Sequence, residues 1–266
     1  MKIGILGPNG TFSEVAFLQY KNNQNHIESI YYQTLEETMQ SLKVNDKIIV
    51  PLENMLEGYV QQILDFLIDE DVFIEQELYV DVQFELIYKN NLSDISNIFV
   101  QFAAKGQCQN FIKSLSSTDL TLTASNTQSL NLYLHNPNHN SAIVPSHLIP
   151  NGYLHQNVTD SKYNQTRFIV ISKKQEQYTS KNLKVSLAVI PSLDRPGLLY
   201  DILSIFNAQN INLTSIMSRP QKNMMGKYFF FIEFDANDHI LHDINKLIEF
   251  TKKSYTIKIL GIYPKK

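Results

Sequence analysis

Four short segments of the sequence combine residue types that could bind or transform a small anion. The first, residues 7–14, reads Gly-Pro-Asn-Gly-Thr-Phe-Ser-Glu and follows a short apolar run. Its glycines permit close backbone approach, and Thr11 or Ser13 can cap a following helix, whose first amides favour a carboxylate or phosphate. The Gly-Lys-Ser/Thr ending of a nucleotide P-loop is missing. The segment predicts either an ordinary turn or an anion contact.

The second segment, residues 50–58, reads Val-Pro-Leu-Glu-Asn-Met-Leu-Glu-Gly after another apolar run. Glu53 and Asn54 at the carboxyl end of a strand would face the crevice where α/β sheets bind ligands. The alternative is that Asn54 caps a helix and Glu53 is solvated.

The third segment, residues 164–168, reads Asn-Gln-Thr-Arg-Phe before the apolar run Ile-Val-Ile. Thr166 offers a hydroxyl, Arg167 a cation that can bind a carboxylate through two parallel hydrogen bonds, and Phe168 an apolar wall. The alternative is an ordinary strand start with an exposed arginine.

The fourth segment, Gln107 and Cys108, lies at the opening of a predicted helix. Cys108 is the sole cysteine and has no histidine near it in sequence, which favours a buried structural thiol over a nucleophile. One cysteine also excludes an intramolecular disulfide, and the seven histidines show no metal-ligand spacing. We therefore predict no metal site.

Alternating strands and helices must bring these segments together. The predicted strands are residues 2–6, 29–32, 47–51, a long 78–88, about 97–100, 120–124, 141–144 and 167–172, and the predicted helices are 11–21, 35–43, about 60–69, 105–115, 127–134 and 146–149. This order is typical of α/β folds. We expect a two-lobed, periplasmic-binding-protein-like domain over residues 1–176, with lobe 1 at about 1–78 plus 160–176 and lobe 2 at about 79–159.

The pattern changes after a polar, aperiodic stretch, residues 173–183, which we interpret as a linker. Strands at 184–190, 211–218, 227–234 and 255–262 with helices at 196–208 and 240–252 then follow. This is the β-α-β-β-α-β order of the ferredoxin-like fold. Residues 184–266 contain no paired acid and base, so this domain is expected to bind or assemble and not to catalyse.

The composition excludes several classes of protein. The chain has 266 residues, and 23 Lys and Arg against 26 Asp and Glu give a formal net charge of −3, which argues against a nucleic-acid-binding protein. No run approaches the roughly 18 apolar residues of a membrane span, and the opening residues lack a signal-peptide pattern. We expect a cytoplasmic protein with neither nucleic-acid nor membrane partners.

Together these motifs resemble the prephenate dehydratase family, in order and over essentially the whole chain. Residues 7–14 and 50–58 resemble its first two signatures, and residues 166–168 match its Thr-Arg-Phe motif. The tail resembles an ACT regulatory domain, with residues 196–199 and 217–220 at the two phenylalanine-binding motifs. Four departures from the family pattern occur: Met55 replaces a serine, Val100-Gln101-Phe102 replaces Ser-His-Pro, Asn126 replaces a threonine, and Met217 replaces a glutamate.

The resemblance implies a carbon–oxygen lyase (hydro-lyase) that converts prephenate to phenylpyruvate, water and carbon dioxide without a cofactor. It implies Thr166 as donor to the leaving hydroxyl, Arg167 as carboxylate contact, Phe168 as apolar wall, and Glu53 as an alternative acid ranked below Thr166. The implied substrate-binding residues are Thr11, Ser13, Asn54, Asn164, Gln107 and Ser125.

The resemblance also implies feedback inhibition by L-phenylalanine at a subunit interface of a homodimer or homotetramer. The implied contacts are Gly197, Leu198, Asn212, Leu213, Ser218 and Arg219. Two non-catalytic alternatives remain, a two-lobed binding protein for small anions and an amino-acid sensor with a degenerate front domain. The missing signal peptide speaks against the first, and the intact Thr166-Arg167-Phe168 motif against the second.

Overall fold

The first sheet is built from the beginning of the chain. The structure is a computed structural model that describes residues 1–22, 26–89, 91–115, 118–176, 182–221, 228–236 and 255–265. Strands β1 (Lys2–Leu6), β2 (Glu28–Tyr32), β3 (Lys47–Asn54), β4 (Gly58–Tyr59) and β5 (Phe73–Asp81) alternate with helices α1 (Phe12–Lys21), α2 (Leu35–Gln40) and α3 (Gln61–Asp69). A single 3-10 turn, Ser41–Lys43, extends α2. The predicted strand–helix alternation is confirmed here.

The second sheet forms another lobe. Its strands are β6 (Phe84–Tyr88), β7 (Asn97–Gln101), β8 (Asp119–Thr123), β9 (Asn140–Pro145) and β10 (Leu154–Asn157), in the spatial order β10-β6-β9-β7-β8. Its helices are α4 (Phe102–Gly106), α5 (Gln109–Ser114) and α6 (Asn126–His135), with 3-10 turns at Leu92–Asp94 and Ser146–Leu148. Strand β10 was not predicted, and the predicted helix 105–115 is in fact two helices, α4 and α5.

The chain crosses between the lobes twice. It leaves through residues 82–83, so the predicted single strand 78–88 is wrong: β5 belongs to the first sheet and β6 to the second. It returns in β11 (Gln165–Ser172), which inserts antiparallel between β3 and β5 to give the order β2-β1-β3-β11-β5. The two crossings touch, because the amide of Val82 donates to the carbonyl of Asn164 at 2.8 Å.

The third sheet forms the C-terminal domain. Its antiparallel strands are β12 (Leu183–Pro191), β13 (Leu213–Pro220), β14 (Tyr228–Ala236) and β15 (Tyr255–Pro264), in the order β13-β14-β12-β15, with α7 (Leu198–Ala208) on one face. This is the strand order of a ferredoxin-like unit. The predicted helix 240–252 lies outside the described residues. Among the helices that are described, none is long and apolar enough to cross a membrane.

The two faces of the C-terminal sheet pack against different partners. Residues of one face, such as Leu187 and Ile232, pack against Phe206 of α7. The opposite face joins the core of the first lobe, where Phe231 and Tyr263 pack with residues of α3, β3 and β5. Because both residues are fully buried there, the C-terminal domain and the first lobe share one apolar core.

The close approach of β15 to β5 depends on Gly261. A Cβ at this position would lie 2.5 Å from the backbone oxygen of Ile74 and 2.8 Å from its Cβ. Backbone atoms cannot move aside as the end of a side chain can. A side chain at position 261 would therefore separate the two sheets.

We expect Gly261→Ala to lower the free energy of unfolding by about 1–3 kcal/mol, the usual cost of overpacking. Gly106→Ala is the matched control, because a Cβ there meets no atom within 4 Å and alanine favours the helical conformation. Chemical denaturation of both variants measures the difference. Equal stability of Gly261→Ala and the wild type would contradict this packing.

Candidate functional site

Strand β11 presents alternate side chains to two different environments. Phe168 and Val170 pack with α1 and β1 on one face, whereas Ile169 and Ile171 belong to the core shared with the C-terminal domain. Thr166 lies on the first face and Arg167 on the second, as the alternation of a strand requires. The two neighbouring motif residues are therefore directed to opposite sides of the sheet.

Asn54 organises the face that carries Thr166. Its Oδ1 accepts from the amides of Leu56 and Glu57 at 2.9 and 3.2 Å, which fixes the side chain in the turn between β3 and β4. Its Nδ2 donates to Thr166 Oγ1 at 2.9 Å and to Asn164 Oδ1 at 3.0 Å. Because Thr166 Oγ1 accepts this hydrogen bond, its own hydroxyl hydrogen remains for another acceptor.

The same network reaches across to the second lobe. Asn164 Nδ2 donates to Gln107 Oε1 at 2.8 Å, and Gln107 Nε2 donates to Glu57 Oε1 at 3.2 Å. Asn164 is buried in the return crossing between the lobes. Asn54, Thr166, Asn164 and Gln107, four of the predicted site residues, are thus brought into one continuous network, which Glu57 completes.

The first motif forms a loop at the junction of the lobes. Gly10 has φ +87° and its amide donates to Glu14 Oε2 at 2.7 Å. Thr11 Oγ1 donates to the carbonyl of Leu6 at 3.1 Å, and Ser13 is buried at the start of α1. The ring of Phe12 contacts the ring of Phe84 in the second lobe, with 5.7 Å between centroids. The start of α1 is therefore held against both lobes.

Two residues of the second lobe that sequence reasoning missed bind this loop. His147 Nε2 lies 3.1 Å from the carbonyl oxygen of Gly10, and Thr127 Oγ1 donates to the carbonyl of Asn9 at 2.9 Å. Burial lowers the pKa of His147, so the ring is neutral at pH 7. Ser125 accepts from the amide of Gln128 at 3.1 Å and so caps α6, two residues from the loop contact.

A cavity of about 780 Å³ adjoins the network. Glu57 and Gln107 line it together with apolar groups such as Leu56, Phe102 and Ile112. Its size suits a small organic molecule. Another cavity, of about 730 Å³ between α2 and α3, contains none of the motif residues and is lined by four carboxylates. The first cavity, unlike the second, is lined by two residues of the network.

Cys108 takes no part in this chemistry. It is buried in the core of the second lobe, and burial raises the pKa of its thiol to about 12. The interpretation as a structural cysteine is confirmed. Within the described part of the chain, no group of histidine, cysteine, aspartate and glutamate side chains is arranged to hold a metal ion.

Arg167 is not brought to the Thr166 network. Its Nη2 donates to Glu233 Oε2 of β14 at 2.6 Å and lies 3.1 Å from Glu53 Oε2, and the side chain is 6% exposed. Burial lowers the pKa of Arg167, but the charge of Glu233 and its hydrogen bond raise it, and the balance lies above the ordinary value. Both Arg167 and Glu53, expected at the substrate, are directed to the interface with the C-terminal domain.

The residues predicted to bind L-phenylalanine lie around α7 and the neighbouring strand β13, except that the Arg219 side chain contacts the first lobe. Leu198 and Ser218 line a cavity of about 140 Å³, and Gly197 precedes α7 with φ +80°. Asn212 is exposed and Leu213 packs partly against the α7 side of the sheet. Arg219 is directed elsewhere, because its Nε and Nη2 donate to the two carboxylate oxygens of Asp65 in α3, each at 2.7 Å.

Known proteins match this chain along its whole length. The family model for prephenate dehydratase matches residues 3–176, and that for the ACT domain matches residues 192–250. The prephenate dehydratase of Methanocaldococcus jannaschii is 34% identical and the match covers 97% of this chain and 96% of the relative. The prephenate dehydratase structure from Staphylococcus aureus has TM-score 0.84 at 30% identity, covering 99% of this chain and 100% of that one. A prephenate dehydratase from Arthrobacter aurescens in complex with L-Phe has TM-score 0.81 at 26% identity, covering 100% and 90%.

The contact between His147 and Gly10 should make stability depend on pH. Because burial lowers the pKa of His147 in the folded state, the unfolded chain takes up the proton more readily below about pH 6.5. The contribution of His147 is complete above that pH and decreases as the pH falls toward the folded-state pKa.

We therefore expect the free energy of unfolding of the wild type to fall more between pH 7.5 and 5.5 than that of His147→Gln, whose amide still donates to the Gly10 carbonyl but does not titrate. Urea denaturation at several pH values measures both profiles. Parallel profiles would contradict a buried, neutral His147.

Proposed function

Because the chain belongs to the prephenate dehydratase family, we propose that the Thr166 network acts on prephenate, which loses water and carbon dioxide to give phenylpyruvate. The resemblance and the architecture of a two-lobed domain followed by an ACT domain are confirmed. The observation that supports this site most strongly is the orientation of Thr166, whose Oγ1 accepts from Asn54 and whose hydroxyl hydrogen is left for the substrate.

The reaction needs little more than positioned donors. As the ring carboxylate leaves as carbon dioxide, the electron pair of its bond to carbon enters the ring. The hydroxyl at the opposite ring carbon leaves with its bonding pair and takes a proton from solvent to become water. Formation of the aromatic ring drives the reaction. The Thr166 hydroxyl donates a hydrogen bond to the departing oxygen as negative charge develops there, which stabilises the transition state.

The charge on the substrate requires separate anchors. The start of α1, with Thr11 and Ser13, and the start of α6, capped by Ser125, lie at the loop where the lobes meet. Their partial positive charge favours a carboxylate. Phe168 packs below with α1 and gives the site an apolar floor. Arg167 and Glu53 contribute from the other face of the sheet, without touching the substrate.

Regulation by L-phenylalanine is assigned to the C-terminal domain. Gly197 and the cavity lined by Leu198 and Ser218 form one half of the effector site, and a second subunit supplies the other half in a homodimer or homotetramer. The exposed edge strand β13, with Ile216 outward, and the exposed Tyr200 of α7 supply the surface for this pairing. The linker predicted at residues 173–183 lies partly outside the described residues, and its last residue opens β12. The cytoplasm is the proposed location.

The test of this function is the purified full chain with prephenate, followed by the ultraviolet absorbance of phenylpyruvate. Turnover at a rate typical of enzymes, about 1–10³ per second, supports the proposal. A chain that binds prephenate and leaves it unchanged would instead be a binding protein or a sensor.

We expect Thr166→Ala to lower kcat by about 10²-fold, because one donor to the transition state is lost. Thr166→Ser is the matched control, since it keeps the hydroxyl and should stay within about tenfold of the wild type. Steady-state kinetics on prephenate measures both. A Thr166→Ala enzyme with wild-type kcat would remove Thr166 from the mechanism.

We expect Gly197→Val to abolish inhibition by L-phenylalanine while kcat without effector stays within about threefold, because an effector shifts an equilibrium only through its differential affinity. Gly152→Val is the matched control, since both glycines have positive φ, +80° and +87°, and nothing within 4 Å of an added Cβ. Inhibition curves measure the difference. Full inhibition of Gly197→Val would place the effector elsewhere.

A further inference from the structure

A buried polar cluster joins β11 to the C-terminal sheet. Glu233 of β14 is 1% exposed and sits at its centre, where it accepts from Arg167 Nη2 at 2.6 Å and from Ser186 Oγ at 2.7 Å. The hydroxyls of Tyr263 and Tyr59 each donate to it at 3.3 Å. A buried carboxylate with this many donors is held rigidly, because loss of Arg167 would leave its charge uncompensated and loss of a hydroxyl would leave it short of a hydrogen bond.

The cluster lies directly beneath the Thr166 network. Arg167 is the strand partner of Glu53, and Thr166 is the strand partner of Asn54. The two pairs are neighbours along β11 and β3, so the contacts that hold one pair also hold the backbone of the other. The register of β11 on β3 shifts directly after Arg167. At such a bulge the ladder is interrupted, and side-chain contacts carry more of the positioning.

We propose that Glu233 of the C-terminal domain is a positioning residue for the reaction, which sets the placement of the Thr166 hydroxyl through Arg167. This inference rests on the proposed dehydratase function. Glu233 itself lies on the Arg167 side of the sheet, opposite the side that carries Thr166. Glu233 holds the guanidinium of Arg167, and the guanidinium holds β11 beside Glu53, where β3 carries the extra residue Leu52. This contact sets the backbone on which Thr166 and Asn54 face each other.

The cluster also touches the strand that carries the effector residues. Ser215 of β13 is the strand partner of Glu233, and its Oγ lies 2.6 Å from the hydroxyl of Tyr59. Ser218, three residues further along the same strand, lines the cavity next to Leu198. A displacement of β13 would therefore change the surroundings of Glu233 and, through Arg167, of Thr166.

The experiment measures kcat and KM for prephenate after Glu233→Gln, in the wild-type chain and in Thr166→Ala. Glu233→Gln should lower kcat about tenfold or more in the wild-type chain, because a small misplacement of a reacting group is costly, with KM within about threefold. In Thr166→Ala, Glu233→Gln should change kcat by less than about twofold, because the effects of substituting residues that act as a unit do not add.

Asp65→Asn is the matched control for interface stability. Asp65 is also a buried carboxylate, and it pairs with Arg219 across the same two domains. Arg219 lies in β13 four residues from Ser215, the strand partner of Glu233. The kcat of Asp65→Asn without effector should stay within about threefold of the wild type. If Glu233→Gln fails to fold, as judged by circular dichroism and a cooperative melt, Tyr59→Phe takes its place, because it removes the hydroxyl that contacts both Arg167 and Glu233 and should lower kcat about threefold to tenfold.

The outcomes separate the two proposals. Three results would overturn the positioning role and leave the dehydratase function standing. The first is that Glu233→Gln lowers kcat by the same factor in the wild-type and Thr166→Ala chains, and the second is that Asp65→Asn lowers kcat as much as Glu233→Gln does. The third is wild-type kcat in both Glu233→Gln and Tyr59→Phe. A wild-type chain without turnover in the same assay would overturn both.

Discussion

The ion pair between Arg167 and Glu233 is the constraint on which the arrangement of the domains depends. Both side chains are buried, and a charge removed from water must find its opposite nearby. Arg167 belongs to the strand that completes the first sheet, and Glu233 belongs to the middle of the C-terminal sheet. The pair therefore fixes which face of the C-terminal domain meets the first lobe and in which register.

The surrounding groups make this pair specific. Lys184 Nζ donates to Glu77 Oε2 at 2.6 Å, so that the buried cluster holds two cations and two fully buried carboxylates, with Glu53 at the edge. Apolar packing of Phe231 against Tyr59 supplies the attraction, whereas the charges penalise any other alignment. Hydrophobic contact alone is not directional. Strand β11, which carries Arg167, also places Thr166 on the opposite side of the sheet, where we propose that the reaction takes place.

Much of this fold follows from local pattern, and the failures have identifiable physical causes. Strands β1 and β3 contain apolar runs, so their positions were predictable, although β3 continues from the predicted end at residue 51 to Asn54. The break at residues 82–83 was not, because Val82 and Phe84 are both buried and the alternation of β5 continues into β6. The period of a strand shows which side chains share a face, but it does not show that successive residues enter different cores.

The site shows the same limit. The motifs indicated Thr166, Asn54, Asn164 and Gln107, and the structure joins them in one network. Alternation alone separates Thr166 from Arg167, yet the partner of Arg167 lies 66 residues away and no local signal names it. His147 and Thr127 hold the first loop through backbone carbonyls, which leave no trace in the residue types.

The most direct test of this account is the KM for prephenate of the double variant Arg167→Met/Glu233→Met. Replacing both partners removes the pair without leaving either charge alone, and Glu77 keeps Lys184. If Arg167 acts only between the domains, KM should stay within about threefold of the wild type even where kcat falls. A rise in KM of about 10²-fold, the cost of losing a direct charged contact with the substrate, would contradict it.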